Sequence, residues 1–574
     1  MKNFLALKKN LKKDFSEFPN VKVAVLGDSA TQFLATALKG QGYEMGLHLD
    51  IWEADYDQIP LQVHNPNSEL YEFEPDIIVL FKSVQKLLYR YQSLEFSESG
   101  DFAKSEAQDV EDLYAAISSQ TKARVIVFNY PEVNDSLFGN YANKLNFSFL
   151  HQLRKLNIGI AELSSSAKDL FVLDLADIQN QLGREAFFNA AMYVNNSMVL
   201  SLDALPWVAK NTVDIINSTR GIFKKCIILD LDNTTWGGVI GDDGMDKIQI
   251  GDFGIGKAFT ELQMWVKKLK ERGVIVAVCS KNTESIAREP FQKHPDMVLR
   301  ESDISVFVAN WENKADNIRH IQKVLNIGFD SMVFLDDNPF ERNIVRENIP
   351  GITVPELPED PAQYLEYLYT LNLFETPSYS SEDKDRTQKY QVEAKRIQNQ
   401  EKFTDENSFL ESLEMKAKIE GFTSFNTPRV SQLTQRSNQF NLRTQRYTEG
   451  DIQEMANSPK HIDLAFSLED KYGDYGLISV LILKEKNMEE LFIDTWLMSC
   501  RVLKRGMEKF VLSTLVEKAK DKGYSKLVGE YLQTAKNEIV RNHYKDLGFT
   551  EGEDGLWYLE LNSFAPAKTH IKPV

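Results

Sequence analysis

The chain has 574 residues, 43% hydrophobic, 26% charged and 11% aromatic, an ordinary globular composition. At about 150 residues per domain it holds three or four units. The formal charge of −18 argues against a general nucleic-acid or anionic-membrane binder, whose surface needs a net positive field, but leaves room for a local basic pocket. Three separated cysteines, Cys226, Cys279 and Cys500, argue against a disulfide scaffold and a cysteine-rich zinc site. The apolar patch at the start is too short for a signal sequence, and no run reaches the ~18 apolar residues of a membrane span. A reducing, cytoplasmic setting without membrane or nucleic-acid partners is expected.

In chain order, apolar β-prone runs alternate with helical patterns: Val21–Leu26, Ile77–Phe81, Val125–Phe128, Phe171–Leu175, Cys226–Leu229, Val274–Val278 and Met332–Leu335. This alternation predicts βαβ units and parallel sheets. A helical pattern around Asp203–Arg220 precedes a new sheet, which places a boundary near 220: residues 1–220 form one unit and 221–374 the next. Residues 375–406 are strongly polar and read as a solvated helical connector. A third unit is expected over 407–563, with strands at Leu464–Leu468, Leu477–Leu483 and Leu491–Leu497, helices at Leu503–Lys520 and Ala535–Asp546, and a tail over 564–574. The fold class is α/β and multidomain.

The run Cys226–Leu229 stops at Asp230-Leu231-Asp232-Asn233-Thr234. A buried parallel strand ending in two carboxylates places them at the sheet edge where open α/β folds bind ligands. One acid can attack phosphorus while the other moves protons. Downstream come Cys279-Ser280-Lys281-Asn282 at a strand end, Lys314, and Asp336-Asp337-Asn338-Pro339 at another strand end, with Glu341 soon after. A carboxylate approaching a phosphate dianion is repelled, so a hard cation must bridge them, and Mg²⁺ takes oxygen ligands.

These four blocks, in this order, resemble the haloacid-dehalogenase (HAD) superfamily of phosphotransferases. The resemblance makes Asp230 the nucleophile and a metal ligand. Asp232 becomes general acid/base, lending its backbone carbonyl to the metal. Ser280 donates to a phosphoryl oxygen, and Lys314 neutralises charge on the transferring group. Asp337 is the expected direct Mg²⁺ ligand; Asp336 stands where a glycine is usual, so the two can exchange roles.

The text Leu229–Gly244, including Trp236, Gly237 and Gly238, together with Ser280–Asn282, Asp336–Pro339 and Leu433–Leu442, is similar to the FkbH-like proteins. That resemblance implies a capless, Rossmann-like HAD core between an SGNH-hydrolase-like domain with a flavodoxin-like parallel sheet and a GNAT-like α+β domain. Gly244–Arg272 has room for one helix and no cap. The resemblance further implies release of phosphate from a small phosphorylated three-carbon donor, such as 1,3-bisphosphoglycerate, and loading of a glyceryl-type unit on an acyl carrier protein thiol. Cys279 is then a candidate to hold the acyl group, against the alternative of a packed strand cysteine. Asn233, Thr234, Trp236, Gly237, Gly238, Lys281 and Asn282 are the expected substrate contacts, with the Trp236 loop over the substrate. Two other readings stay open: a plain phosphatase of a small metabolite, and an acyl-CoA-dependent N-acyltransferase built on the third unit.

Gly27-Asp28-Ser29 after the first strand resembles the SGNH nucleophile block. A hydrolase also needs a histidine base, and His48, His64 and His151 sit in no suitable segment, so a domain without esterase activity is expected; Asn129 and Asp174 end strands as caps or polar contacts. In the third unit Arg501, Arg505, Gly506 and Met507 open a helix, and with Asn537 they resemble the pyrophosphate-binding turn of GNAT acetyltransferases. This implies binding of CoA or of a carrier protein's phosphopantetheine, although Met507-Glu508 replaces a second glycine. The polar stretch Gln432–Tyr447 is expected outside the core, lining an interdomain groove.

Overall fold

The computed structural model describes residues 2–379, 390–392, 396, 405–499, 502–503, 505–534 and 536–574. Most of the expected connector, together with Cys500 and Arg501, lies outside them. The chain separates into two compact units, Met1–Asn217 and Ser218–Val574.

The first unit is built on five strands: β1 (Asn20–Gly27), β2 (His48–Glu53), β3 (Ile77–Phe81), β4 (Arg124–Phe128) and β5 (Leu170–Leu173). All pairings are parallel, in the order β2-β1-β3-β4-β5. Alternate residues feed two cores. Val21, Val23, Val25, Ile77, Val79, Ile126 and Phe128 face one, and Ala24, Leu26, Ile78, Leu80, Val125 and Val127 face the other. Burial on both faces explains why these strands read as continuous apolar runs. Strand β2 escapes that signal because His48, Asp50 and Trp52–Glu53 are only partly covered at the sheet edge.

The second unit opens with a parallel sheet of β6 (Cys226–Leu229), β7 (Ile275–Ser280), β8 (Val306–Ala309) and β9 (Met332–Leu335), ordered β8-β7-β6-β9. Ile227, Leu229, Val276, Val278, Val333 and Leu335 pack into one core. Cys226, Ile228, Ile275, Ala277, Cys279, Met332 and Phe334 pack into the other. Between β6 and β7 the only long helix is Gly256–Glu271, preceded by the four-residue turn of helix Ile240–Asp243, so nothing the size of a cap domain interrupts the core.

The remaining strands are β10 (Lys416–Glu420), β11 (His461–Asp470), β12 (Gly473–Glu485), β13 (Glu490–Met498), β14 (Lys526–Gly529), β15 (Thr550–Glu551), β16 (Trp557–Glu560) and β17 (Lys572–Pro573). They form one mixed sheet, β15-β16-β14-β13-β12-β11-β10-β17, in an α+β arrangement. Antiparallel pairs dominate, and β13–β14 is parallel because the helix Met507–Asp521 carries the chain across between them. Three expectations change here. The helix expected over Ala535–Asp546 is only a 3-10 turn, Glu538–Val540, and one turn of helix, His543–Asp546. The expected tail returns as β17, beside β10, with Ile571 buried. The stretch Gln432–Tyr447 is not excluded from the interior: Gln432, Thr434 and Asn441 are buried. Part of it meets the start of the β6–β9 sheet, where Lys225 Nζ donates to the Arg436 carbonyl and Asn438 Nδ2 donates to the Gly221 carbonyl, at 2.9 and 2.8 Å.

Candidate active site

Register brings the acids together. β6 and β9 pair in parallel with Leu229 opposite Leu335, so the next residues, Asp230 and Asp336, leave the sheet side by side. The Asp230 amide still donates to the Leu335 carbonyl at 2.9 Å. Asp230, Asp336 and Asp337 each offer an oxygen within 4.8 Å of the others. Lys314, the first residue of helix Lys314–Leu325 after β8, puts its Nζ 2.8 Å from Asp230 Oδ2 and 2.6 Å from Asp336 Oδ2.

Three carboxylates against one ammonium leave two uncompensated negative charges in a buried site. Burial, followed by the charge of Asp230, pushes Asp336 up to about 7. The same causes raise Asp337. Burial disfavours the Lys314 ammonium, but Asp230 and Asp336 outweigh it and raise that group. An all-oxygen donor set with an excess of two negative charges fits a hard divalent cation. The two final aspartates are not equivalent. Asp336 is fully buried, with Oδ2 on Lys314 and Oδ1 accepting from the Asn338 amide at 2.9 Å. Asp337 is half-buried, and its Oδ1 accepts from Thr234 Oγ1 at 3.2 Å.

Asp232 is held by three donors. Its Oδ1 accepts from Trp236 Nε1 at 3.0 Å and the Ile240 amide at 3.1 Å, and its Oδ2 accepts from Asn282 Nδ2 at 2.9 Å. Asn282 also donates to Ser280 Oγ at 3.2 Å, tying the second block to the first. Thr234 Oγ1 accepts from the Asp337 amide at 2.9 Å, tying the first to the fourth. The chain turns sharply enough for this because Asn233 takes φ +53°, a conformation asparagine tolerates; its Oδ1 accepts from the Gly238 amide at 2.9 Å.

Several expected substrate contacts have other work. Trp236 is fully buried, edge-on to Phe291, so it lies beneath Asp232 rather than over a substrate. Gly237 pairs with Gln249, and a Cβ there would fall 2.7 Å from Gln249 Oε1 and 2.8 Å from Phe259. Gly238 adopts φ +89°. Lys281 Nζ is 2.6 Å from Glu341 Oε1; Glu341 is buried and its Oε2 has no partner.

Cys279 departs from its candidate role. The period of two that aims β7 places it beside Cys226 and Ile228, in the core on the sheet face away from Trp236. Its thiol is fully buried, donates weakly to the Lys314 carbonyl at 3.7 Å, and is pushed well above the usual thiol range by burial. A thiolate nucleophile needs a lowered value and access, and this residue has neither.

Two supports were not legible in the motifs. Arg342 Nη1 donates to the carbonyls of Asp336 and Asp337 at 2.9 and 2.7 Å, clamping the double-aspartate turn. Tyr364 Oη donates to the Asn233 carbonyl at 3.3 Å. Both lie beyond the motif that they brace; an arginine three residues into the helix after Asp337-Asn338-Pro339 was the one available signal.

Around the β10–β17 sheet the expected pyrophosphate cradle is already used. Arg505 is 1% exposed, its Nη1 lies 3.0 Å from Asp470 Oδ2, and its guanidinium stacks over Tyr475 at 4.4 Å. Met507 is buried. Asn537 is fully buried, donating to the Asn441 and Leu532 carbonyls and accepting from the Thr534 amide. Gly506, φ +77°, stands at the start of the helix. Arg505, Met507 and Asn537 therefore do not fit a CoA or phosphopantetheine phosphate.

Against this geometry, the family model described as FkbH, N-terminal domain, matches residues 22–217. A solved structure, the N-terminal part of the protein BF1531 from Bacteroides fragilis, containing a phosphatase domain complexed with Mg, is 54% identical; it covers 66% of this chain and 100% of its own, with a TM-score of 0.64. The chain belongs to the FkbH family. In this FkbH-family chain the aspartate cluster lies beyond the residues that the family model matches. The ribosomal-protein-S18-alanine N-acetyltransferase from Escherichia coli is 17% identical over 26% of the chain and 96% of its own, with a TM-score of 0.20. A domain from Methanocaldococcus jannaschii DSM 2661 is 15% identical over 25% of the chain and 99% of its own, with a TM-score of 0.21. Likeness at that level carries no statement about activity. No curated protein matches the chain.

Proposed function

We propose that this protein is a Mg²⁺-dependent HAD-type phosphatase that releases phosphate from a small phosphorylated three-carbon donor and delivers the remaining acyl unit to the thiol of an acyl carrier protein. The observation that carries the phosphatase reading is the cluster of Asp230, Asp336 and Asp337 around Lys314. The Mg-complexed phosphatase relative at 54% identity supports the same chemistry. The three-carbon donor and the carrier thiol rest on the family resemblance.

Asp230 attacks phosphorus and the bond to the leaving oxygen breaks. Asp232 protonates that oxygen and afterwards takes a proton from the water that frees phosphate from Asp230. Trp236, Asn282 and the Ile240 amide hold Asp232 in one direction throughout, which is the kind of fixed orientation that general acid–base catalysis requires. Lys314 steadies Asp230 and carries positive charge to the spreading charge of the transferring group. Asp230, the Asp232 carbonyl and Asp337 are the residues to hold Mg²⁺, which when bound would screen the nucleophile from the phosphate dianion. Acyl transfer is a separate step on a donor that carries both an acyl phosphate and a phosphate ester. With Cys279 sealed in the core, the external carrier thiolate attacks the acyl carbon. The C–O bond to the acyl phosphate breaks and that phosphate leaves, while Asp230 removes the ester phosphate.

The test is incubation with a three-carbon acyl phosphate that also carries a phosphate ester, such as 1,3-bisphosphoglycerate, and a phosphopantetheinylated carrier protein. Free phosphate and an acylated carrier by intact mass are expected. Phosphate without carrier acylation reduces the function to a simple phosphatase, and release of the ester phosphate persisting in Asp230→Asn removes the HAD reading altogether.

A further inference from the structure

The order β2-β1-β3-β4-β5 reverses its direction of growth between β1 and β3. At such a switch point neighbouring crossovers leave on opposite faces, and the crevice outside the strand ends is where open α/β sheets bind ligands. In the first unit this position is a cavity of about 210 Å³ lined by Ser29, Tyr56, Ser83, Lys86, Tyr193, Val194 and Ser197. Ser29 follows β1 and Ser83 follows β3.

The lining is asymmetric in a way that packing does not explain. Ser29 is 4% exposed, yet its Oγ has no hydrogen-bond partner. Leaving a buried hydroxyl unmatched is unfavourable, and such groups mark places where something else completes the bonding. Opposite it, Ser83 caps the helix Val84–Gln92, accepting from the Lys86 amide, and no acid occupies the first turn. The positive end of that helix and the Lys86 ammonium thus border the same cavity. Two nearby acids are engaged: Asp28 accepts from the Ser83 amide through both oxygens, at 2.9 and 3.0 Å, and Asp57 lies 3.1 Å from Lys86 Nζ. No histidine lines the cavity, so Ser29 has no base there to make it a nucleophile.

We propose that residues 1–217 carry a second, non-hydrolytic binding site for a small organic anion. Its carboxylate or phosphate group accepts from Ser29 Oγ and pairs with Lys86 between the tips of β1 and β3. Such a site gives a domain without esterase machinery a use of its own, independent of the aspartate cluster.

The experiment uses the full chain carrying Asp230→Asn, in EDTA, so that the aspartate cluster does not contribute. Inorganic phosphate, glycerate and glycerol are titrated by calorimetry. Saturable binding of phosphate or glycerate, weakened at least about tenfold by Ser29→Val and by Lys86→Met, is expected; whichever of the two anions binds identifies the head group. Equal binding of glycerol overturns the anion reading. Binding that survives both substitutions, or no saturable binding of either anion, overturns the site. A melting measurement on Ser29→Ala guards against misfolding. An unchanged or raised Tm fits a hydroxyl kept for a ligand, whereas a fall of several degrees makes it structural and sinks the proposal.

Discussion

The indole N–H of Trp236 donates to Asp232 Oδ1 at 3.0 Å while its ring is sealed in the core against Phe291. The tryptophan of the motif thus acts through the acid and not on the substrate. Trp236→Phe keeps the packing and removes one donor. It is expected to lower kcat roughly ten- to a hundredfold with KM nearly unchanged, read by steady-state phosphate release, because a donor to a charged group is worth roughly 1.5–3 kcal/mol. A rise in KM at constant kcat would return Trp236 to the substrate surface.

Asp230 and Lys314 separate chemistry from stability. Asp230→Asn should abolish phosphate release while raising or preserving Tm, since it removes one of three crowded carboxylates. Lys314→Met should also abolish activity but lower stability by about 3–5 kcal/mol, because it leaves Asp230 and Asp336 buried without their cation. Added Mg²⁺ should recover part of that loss in a melting experiment and none of it in a Lys314→Met, Asp337→Asn double variant.

Cys279→Ala tests the thiol. Its burial among Cys226, Ile228 and Ala277 predicts a stability loss of about 1–2 kcal/mol for a small cavity, with phosphate release within a few-fold of the parent. No acyl adduct on the parent protein is expected by intact mass. An adduct lost in Cys279→Ala would show that β7 opens during turnover.

His543 gives a pH dependence outside the site. It is packed between Trp496 at 4.5 Å and Phe440 at 4.9 Å, and burial pushes it down to about 3 from 6.5. The unfolded chain takes up the proton first, so the stability contributed by the neutral ring is present above pH 6.5 and is lost as pH falls from there toward 3. Urea midpoints followed by tryptophan fluorescence should drop more between pH 7 and pH 4.5 in the parent than in His543→Phe. Parallel pH curves would refute the assignment.

Arg505→Ala should destabilise the second unit by about 3–5 kcal/mol, because Asp470 would be left as an unpaired buried charge. Arg505→Lys should rescue little, since the planar stack on Tyr475 at 4.4 Å is lost with the guanidinium. If Arg505→Ala leaves stability intact and weakens acetyl-CoA binding, the buried pair is not the role of this arginine.

Read alone, the sequence determined the strands that carry the site and the identity of its acids. Strands β1, β3, β4, β6, β7 and β9 are covered on both faces, so their apolar runs are continuous, and the residue that breaks each run marks the sheet edge. Edge strand β2 is half-covered and leaves no such run, whereas β8, also half-covered, is only the four-residue apolar run Val306–Ala309. Only the tertiary structure decided which way each neighbouring side chain points. Cys279 and Ser280 are adjacent in sequence, yet the alternation of β7 sends the thiol into the core, while Ser280, at the strand end, meets Asn282. Trp236 and Arg505 look like ligand contacts in a motif, and both are spent on buried partners, Asp232 and Asp470. A motif records residue types along a chain; whether a polar group faces a ligand or a neighbour depends on long-range partners such as Asp470, thirty-five residues before Arg505, and local sequence does not encode that pairing.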